Sequence, residues 1–435
     1  MIFHESGEAP AALVAAEQAL ASGESTRARQ ALAGLDTVQL PESLLRRFLD
    51  VLVQSNRFEG RQAASLAWIE DRLAAGAQGA TGAASPQARA LLLRARVECL
   101  RSLDTRRALD AADEALAAAE AVDDELSYAV VLAHAAFAAY RRAEVREAAR
   151  FATLAQARSF REPGATVMAL RAQMFAATAA GHLERSLDLS LEIRDRTLAL
   201  GDFAQAANES NNIAESQLQL GRPLSAMEAA TRGAALAARA GFPAVERFSR
   251  VLVGVAMAEN GHLDAGVALL RREDVGEGSQ VLQTDTQAAL SFWMVERDQA
   301  GTGTDAVDAL RVSEAAIARA RTVGLHHFLT TLLCTRARAQ FRLGDERAAR
   351  LSLEEARAAF DAADVLSERH LAIALGEILA PGDSVRRTAL GTARAHLLRD
   401  AGKRDDALAY CTGVRIHRKL LEMTGGVPLD LPRGR

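Results

Sequence analysis

Lysine is nearly missing from this 435-residue chain: Lys403 and Lys419 are the only two, so its positive charge is almost all arginine. Aromatic residues make up 4%, with 2 Trp and 3 Tyr. So few large rings cannot fill the core of a β-sandwich or barrel, whereas the abundant alanines and leucines favour helix. The 3 cysteines, Cys99, Cys334 and Cys411, are odd in number and far apart. That excludes a disulfide framework and fits reduced thiols in the cytoplasm. No stretch approaches the roughly 18 uninterrupted apolar residues of a membrane span. The first ten residues carry Glu5 and Glu8 and no apolar segment, which excludes a signal peptide. Net charge is −4 with both signs interleaved, so no overall field draws the chain to nucleic acid or to an anionic membrane.

Motifs that carry chemistry are missing too. There is no phosphate-binding glycine loop after a strand, no H-E-x-x-H and no paired C-x-x-C. His326 and His327 are adjacent, so on a helix their rings point about 100° apart and cannot chelate one ion. The expectation is a protein with no catalytic residues, no metal and no cofactor, hence not an enzyme.

A recurring turn is what the chain does have. Gly181, Gly221 and Gly261 interrupt helical sequence at intervals of 40 residues, and Gly-His-Leu occurs at both 181–183 and 261–263. Glycine suits a helix end because it takes left-handed backbone angles without a Cβ clash. Five residues after each turn comes a small side chain: Ala28, Ser186, Ala226, Gly266, Ala349 and Ala407. Ala108, Ala148 and Ala309 keep the register where the glycine is missing, and from Ala108 to Ala349 the steps are 40, 38, 40, 40, 43 and 40. Two antiparallel helices need a small residue where their backbones approach. Each period therefore reads as two helices, for example 203–220 with 224–239 and 325–343 with 346–363. His182 and His262, just past their glycines, are expected to cap or pack the turn.

The segments Leu343-Gly344-Asp345 with Ala348-Ala349 and Ala356, Ala180-Gly181-His182 with Ser186-Leu187, and Leu220-Gly221 with Ala226 resemble the second half of a tetratricopeptide repeat. The usual period is about 34 residues, and HEAT-type repeats also run at about 40–47. The period here resembles the longer tetratricopeptide variant of bacterial signalling regulators, over residues 87 to 423. The resemblance implies an all-α fold, a right-handed superhelical solenoid of antiparallel helix pairs. It also implies binding of a protein or peptide partner on the concave face.

The expected layout begins with N-terminal helical repeats at 1–75 and a Gly/Ala/Ser linker at 76–86. The main solenoid follows at 87–364, then C-terminal helices with one extra inserted helix and a capping repeat at 365–424, and a disordered tail at 425–435. Repeats occupy nearly the whole sequence, leaving no room for a helix-turn-helix domain, so direct nucleic-acid binding is not expected. The basic run Arg415, His417, Arg418 and Lys419 reads as a solvated helix face, and Cys411 as a small core residue.

The first helix of each pair should line the concave side. Counting back 13, 10, 6 and 3 residues from the turn places one stripe on that helix. The stripe before Gly221 contains Asn208, Asn211 and Glu215, with Asn212 and Gln219 beside them. Neighbouring stripes supply Arg171, Phe175, Phe137, Tyr140, Phe248 and Arg338. Amides both donate and accept, which suits an extended peptide backbone; by the resemblance, Asn208 and Asn211 would clamp such a peptide. The leading expectation is a non-catalytic binding scaffold. The alternative is a signal-sensing regulator whose array takes a small ligand or signalling peptide and changes shape.

Overall fold

In the computed structural model, residues 10–22, 24–33, 35, 42–58, 61–77, 85–274, 280–298, 304–360 and 365–428 are described. They form twenty-two helices and no strand. In chain order the pairs begin with α1 (Ala11–Ala21) and α2 (Ser25–Ala33), then α3 (Glu42–Phe58) and α4 (Gln62–Ala77). Next come α5 (Pro86–Leu103) and α6 (Thr105–Ala121), α7 (Glu125–Arg141) and α8 (Val145–Gln156), and α9 (Pro163–Ala179) and α10 (Leu183–Ala199). The middle holds α11 (Phe203–Gln219) and α12 (Pro223–Arg239), and α13 (Pro243–Glu259) and α14 (Leu263–Glu273). Then follow α15 (Gln280–Arg297) and α16 (Thr304–Val323), and α17 (His326–Arg342) and α18 (Glu346–Ala359). The last are α19 (Val365–Ile378) and α20 (Ser384–Ala401), and the short α21 (Ala407–Gly413) and α22 (Arg415–Met423).

From α9 to α13 the period is strict, with helices of 17 residues joined by three-residue turns. Every turn in this stretch carries a glycine in the left-handed region, at 181, 201, 221 and 241. At Gly181 its amide donates to Thr178 and the next amide, of His182, donates to Ala177. This double bond satisfies two carbonyls that the helix end would leave open. Ala143, which stands where a glycine is missing, has φ +60°, so the turn keeps its shape at some steric cost. Neither His182 nor His262 caps its helix through the side chain, and both rings are exposed, contrary to the expected capping. The small register residues do lie in the helix seams: Ala108, Ala148, Ala226, Ala309, Ala349 and Ala407 are all 0% exposed.

The first helices pack on one another, α5 on α7 on α9 and α11 on α13 on α15, and so form the inner wall of an all-α superhelix. That superhelix closes on itself. Helix α15 touches α5, and α17 touches α7. Thr105 at the start of α6 donates to the carbonyl of Gly324 (3.0 Å), and Arg141 of α7 forms a two-pronged pair with Asp285 of α15 (3.0 and 3.1 Å).

The extra helix is α19, and it forms a full pair with α20. Gly402, counted with the turn glycines, has ordinary right-handed angles (φ −63°). Helices α21 and α22 fold into the superhelix. The basic run read as a solvated face is instead partly core: His417 is 1% and Lys419 8% exposed. Ile416, Leu420 and Leu421 on α22 join Phe248, Val251 and Trp293 in one apolar cluster, while Arg415 and Arg418 stay half-buried and Glu422 is exposed. Cys411 is fully buried there. Residues 78–84 of the anticipated linker and 429–435 of the anticipated tail lie outside the described residues. Ser85, placed in the linker, caps α5 by accepting from the Ala88 amide (3.0 Å).

Candidate functional site

Closure of the superhelix leaves a central lumen of about 690 Å³. Much of its wall comes from first helices. Helix α7 gives Tyr140 and Arg141; α11 gives Glu215, Leu218 and Gln219; α13 gives Phe248, Val251 and Val255. Helix α15 gives Asp285, Ala288, Phe292 and Trp293, and α17 gives His327, Phe328 and Thr331. Arg369 and His370 of α19, Val414, Ile416 and His417 near α22, the α9–α10 turn and the α20–α21 connection add to it. The lining is mostly apolar and aromatic, with a few convergent polar groups, which is the usual makeup of a small-ligand site.

Nearly every charge in the lumen is matched. Arg141 pairs with Asp285, and its guanidinium also lies over the rings of Tyr140 (5.5 Å) and Phe328 (5.4 Å). His327 fixes that guanidinium from the other side: burial and Arg141 hold its pKa well below the ordinary value, so the ring is neutral. Its Nδ1 sits 2.8 Å from the Arg141 carbonyl, which can only accept, so Nδ1 carries the proton and Nε2 accepts from Arg141 (2.9 Å). His417 repeats the device, donating from Nδ1 to the Tyr410 carbonyl (2.7 Å) and accepting from Arg369, which pairs with Asp400 (2.8 Å). Arg404 bridges Glu184 (2.8 Å) and the Gly181 carbonyl (2.9 Å), tying the α20–α21 connection to the α9–α10 turn. Glu259 accepts from the Arg415 amide (2.7 Å), yet burial still pushes its pKa up to about 7.

Among the carboxylates of the lumen Glu215 is the exception. It is half-buried in the lumen wall, and among the described residues no cation or donor pairs with it. Burial pushes its pKa up to about 7; Arg141 opposes the rise and Asp285 adds to it. A carboxyl so placed, without a partner, destabilises the fold when ionised.

Of the residues singled out from sequence, Glu215, Gln219, Tyr140 and Phe248 line this lumen. Asn211 does not. It is 4% exposed and lies in the seam of α11, α12 and α13, where its Oδ1 accepts from Ser249 (2.8 Å). Gly233 across the seam is needed there, since a Cβ would stand 2.8 Å from that oxygen. Asn208 donates back to Ala204 of its own helix (3.1 Å), and Asn212 to Glu209 (2.9 Å). Arg171 also serves Glu209, in a buried pair at 2.5 Å. The polar run of α11 is therefore largely consumed in holding repeats together. Arg338, 2% exposed, is locked to Glu296 and Glu377. Phe175 packs edge-on to Phe137 (5.1 Å) in the core behind Tyr140. The missed lining residues, Asp285, His327, Arg369 and Phe292, lie on helices that meet only after the superhelix closes. No local spacing announces them.

Among the described residues no cluster of three metal-binding side chains occurs, and no helix is long and apolar enough to cross a membrane. Paired helices with glycine-closed turns, small-residue seams and an inner wall of first helices define a tetratricopeptide-repeat-like solenoid. No family model and no curated protein matches the chain. Among solved structures it is similar to the Cut9–Hcn1 hetero-tetramer of the APC/C (TM-score 0.53, 12% identity, 93% of this chain and 68% of that one). It is also similar to a Rap protein complexed with competence and sporulation factor (TM-score 0.51, 14% identity, 80% of this chain and 96% of that one). At these identities the likeness is one of fold.

Proposed function

We propose that this protein is a non-catalytic, ligand-responsive binding protein whose lumen takes a compact ligand, with an apolar body against the aromatic wall and a positively charged group against Glu215. The observation that supports this reading is the largely apolar lumen, partly open to solvent, with one unmatched carboxylate. An ammonium or guanidinium there would gain both the carboxylate and nearby ring faces. Between the two expectations drawn from the sequence, closure favours the sensor over an open-groove scaffold. Helices α21 and α22 occupy part of the inner wall, leaving space for a small molecule or short peptide rather than a long protein segment. The Rap protein was solved with a bound factor and Cut9 in an assembly with Hcn1, which supports binding as the kind of function. The buried, unpaired thiols support a reducing, cytoplasmic setting.

Trp293 lies in the lumen wall, whereas Trp68 packs on Phe48 outside it, so tryptophan fluorescence reports on occupancy. Short apolar peptides and small amines, each with a free amino group and as the N-acetyl form, are the probes. A free amine should shift the emission saturably, and Glu215→Gln should weaken it at least tenfold while leaving the acetylated probe unaffected. Binding should strengthen as pH rises through about 7, where Glu215 ionises facing Arg141, Asp285 and His327. The stability effect has the opposite sign. The folded pKa lies above the unfolded one, so Glu215 lowers stability progressively from about pH 4.5 to 7, and Glu215→Gln should raise the melting temperature at pH 8 but not at pH 4. A silent Trp293 across the panel, or equal amine affinity in the variant, rejects the reading.

A further inference from the structure

The inner wall of the earlier hairpins carries a second set of charges that the lumen does not use. Arg94, Glu98 and Arg101 share one face of α5. Arg57 approaches from the last turn of α3, His134 and Phe137 from α7, and Arg171 from α9. Arg94 has Asp50 as partner, Arg171 has Glu209, and Arg141 has Asp285. Arg101 has none among the described residues. It is 8% exposed, its Nε is buried without a hydrogen bond, and its guanidinium lies over the Phe137 ring at 5.1 Å. Arg57 likewise pairs with no carboxylate among the described residues. The one negative group close to both is Glu98, which lies 3.9 Å from the His134 ring.

Two neighbouring guanidinium groups, Arg101 buried and Arg57 half-buried, have only Glu98 between them as counter-charge, and the excess positive charge opposes folding. The two also repel each other. Burial, and next Arg57, push Arg101 down to about 9. Burial and the surrounding arginines hold His134 well below its ordinary value, so it adds no charge at neutral pH. Every other buried arginine of the inner wall named above has found a carboxylate, so the exception marks a place for an anion from outside. Planar guanidinium groups fit carboxylate and phosphate oxygens with paired hydrogen bonds.

The geometry points to an oxyanion site in which Arg57 and Arg101 together take a carboxylate or phosphate group of a ligand, over the face of Phe137. The site is separate from Glu215 and stands whether or not the lumen takes a cation.

The test is thermal melting and calorimetric titration at constant ionic strength. The probes are inorganic phosphate, and N-acetyl-leucine against its amide; chloride is the reference. Phosphate, N-acetyl-leucine or both should raise the melting temperature by several degrees and titrate to saturation, while the amide does neither. The arm that binds tells phosphate from carboxylate. Arg101→Met should be more stable than wild type in chloride, because one of two repelling cations is gone, and should lose the anion response at least tenfold. Arg57→Gln, nearer the surface, should show the same loss without disturbing the core. Wild-type melting indifferent to both anions overturns the site. So does an Arg101→Met protein that is less stable or unfolded in chloride, since Arg101 would then be a structural cation on Phe137.

Discussion

Gly221→Ala is expected to release the C-terminal helices, whereas Gly181→Ala, at the equivalent turn two helices earlier, is expected to bring the backbone penalty alone. Both glycines hold left-handed angles, φ +77° and +72°, so alanine brings the same backbone penalty at each, about 1–2 kcal/mol. Their surroundings differ. A Cβ at Gly181 meets nothing within 4 Å, but at Gly221 it would stand 2.0 Å from the Ala409 carbonyl oxygen and 3.2 Å from the Gly413 Cα. Those are backbone atoms of α21, which have no rotamer to change. Gly413 is reciprocal: its Cβ would fall on the Gly221 carbonyl. Relief requires α21 to lift off the α11–α12 turn, so we expect the Gly221 variant to lose about 2 kcal/mol more than the Gly181 variant. Amide exchange in 407–423 should rise selectively. Equal losses at the two glycines would place α21 elsewhere.

Glu296→Gln should have a still larger effect. Glu296 of α15 accepts from Arg338 of α17, from Arg415 (2.7 Å) and from Lys419 (3.2 Å), while Glu377 of α19 takes the second side of Arg338 (2.8 Å) and Lys419 (2.5 Å). Arg338 is 2% exposed and Lys419 8%. Removing one carboxylate leaves Arg338 and Lys419 to share Glu377 and takes from Arg415 its carboxylate partner. Breaking a buried network in this way costs about 3–5 kcal/mol, more than the pair itself contributed. The pH dependence has a definite sign. Arg338, together with Lys419, holds Glu296 far below the usual carboxylate range and Glu377 down to about 2. The network therefore contributes fully above about pH 4.5, and its contribution is lost as pH falls toward the folded values. Denaturant melts at pH 7 and pH 3 should show a large gap between wild type and Glu296→Gln at the first and a reduced gap at the second.

These two experiments probe what the sequence left unannounced. The hairpin repeat was legible because it is local: a glycine at a fixed place, a small residue five later and an apolar stripe between them fix each pair. Helices at 203–219 and 223–239 follow from that pattern to within a residue. The closure was not legible. Arg141 and Asp285 are 144 residues apart and meet only because the small rotation between repeats accumulates. The same accumulation explains Asn211. Position 10 before the turn faces the lumen at Val251 but the seam at Asn211, since the wall turns relative to each helix. The basic run of α22 misled because arginine and lysine ordinarily face water. Here Glu296 and Glu377, far away in sequence, give them a reason to be inside. Arg101 was passed over because an arginine on an α-helix carries no sign of whether a carboxylate will meet it.

A double-mutant cycle on Arg141 and Asp285 tests the central claim, that the superhelix closes to form a lumen, more directly than any other measurement. The pair joins α7 to α15 across the closure and is buried at 7% and 8% exposure. Arg141→Met and Asp285→Leu should each destabilise strongly, and the double variant should recover part of the loss, a coupling of at least about 1.5 kcal/mol. Losses that simply add would mean that the two helices do not meet and that the inner wall is an open groove.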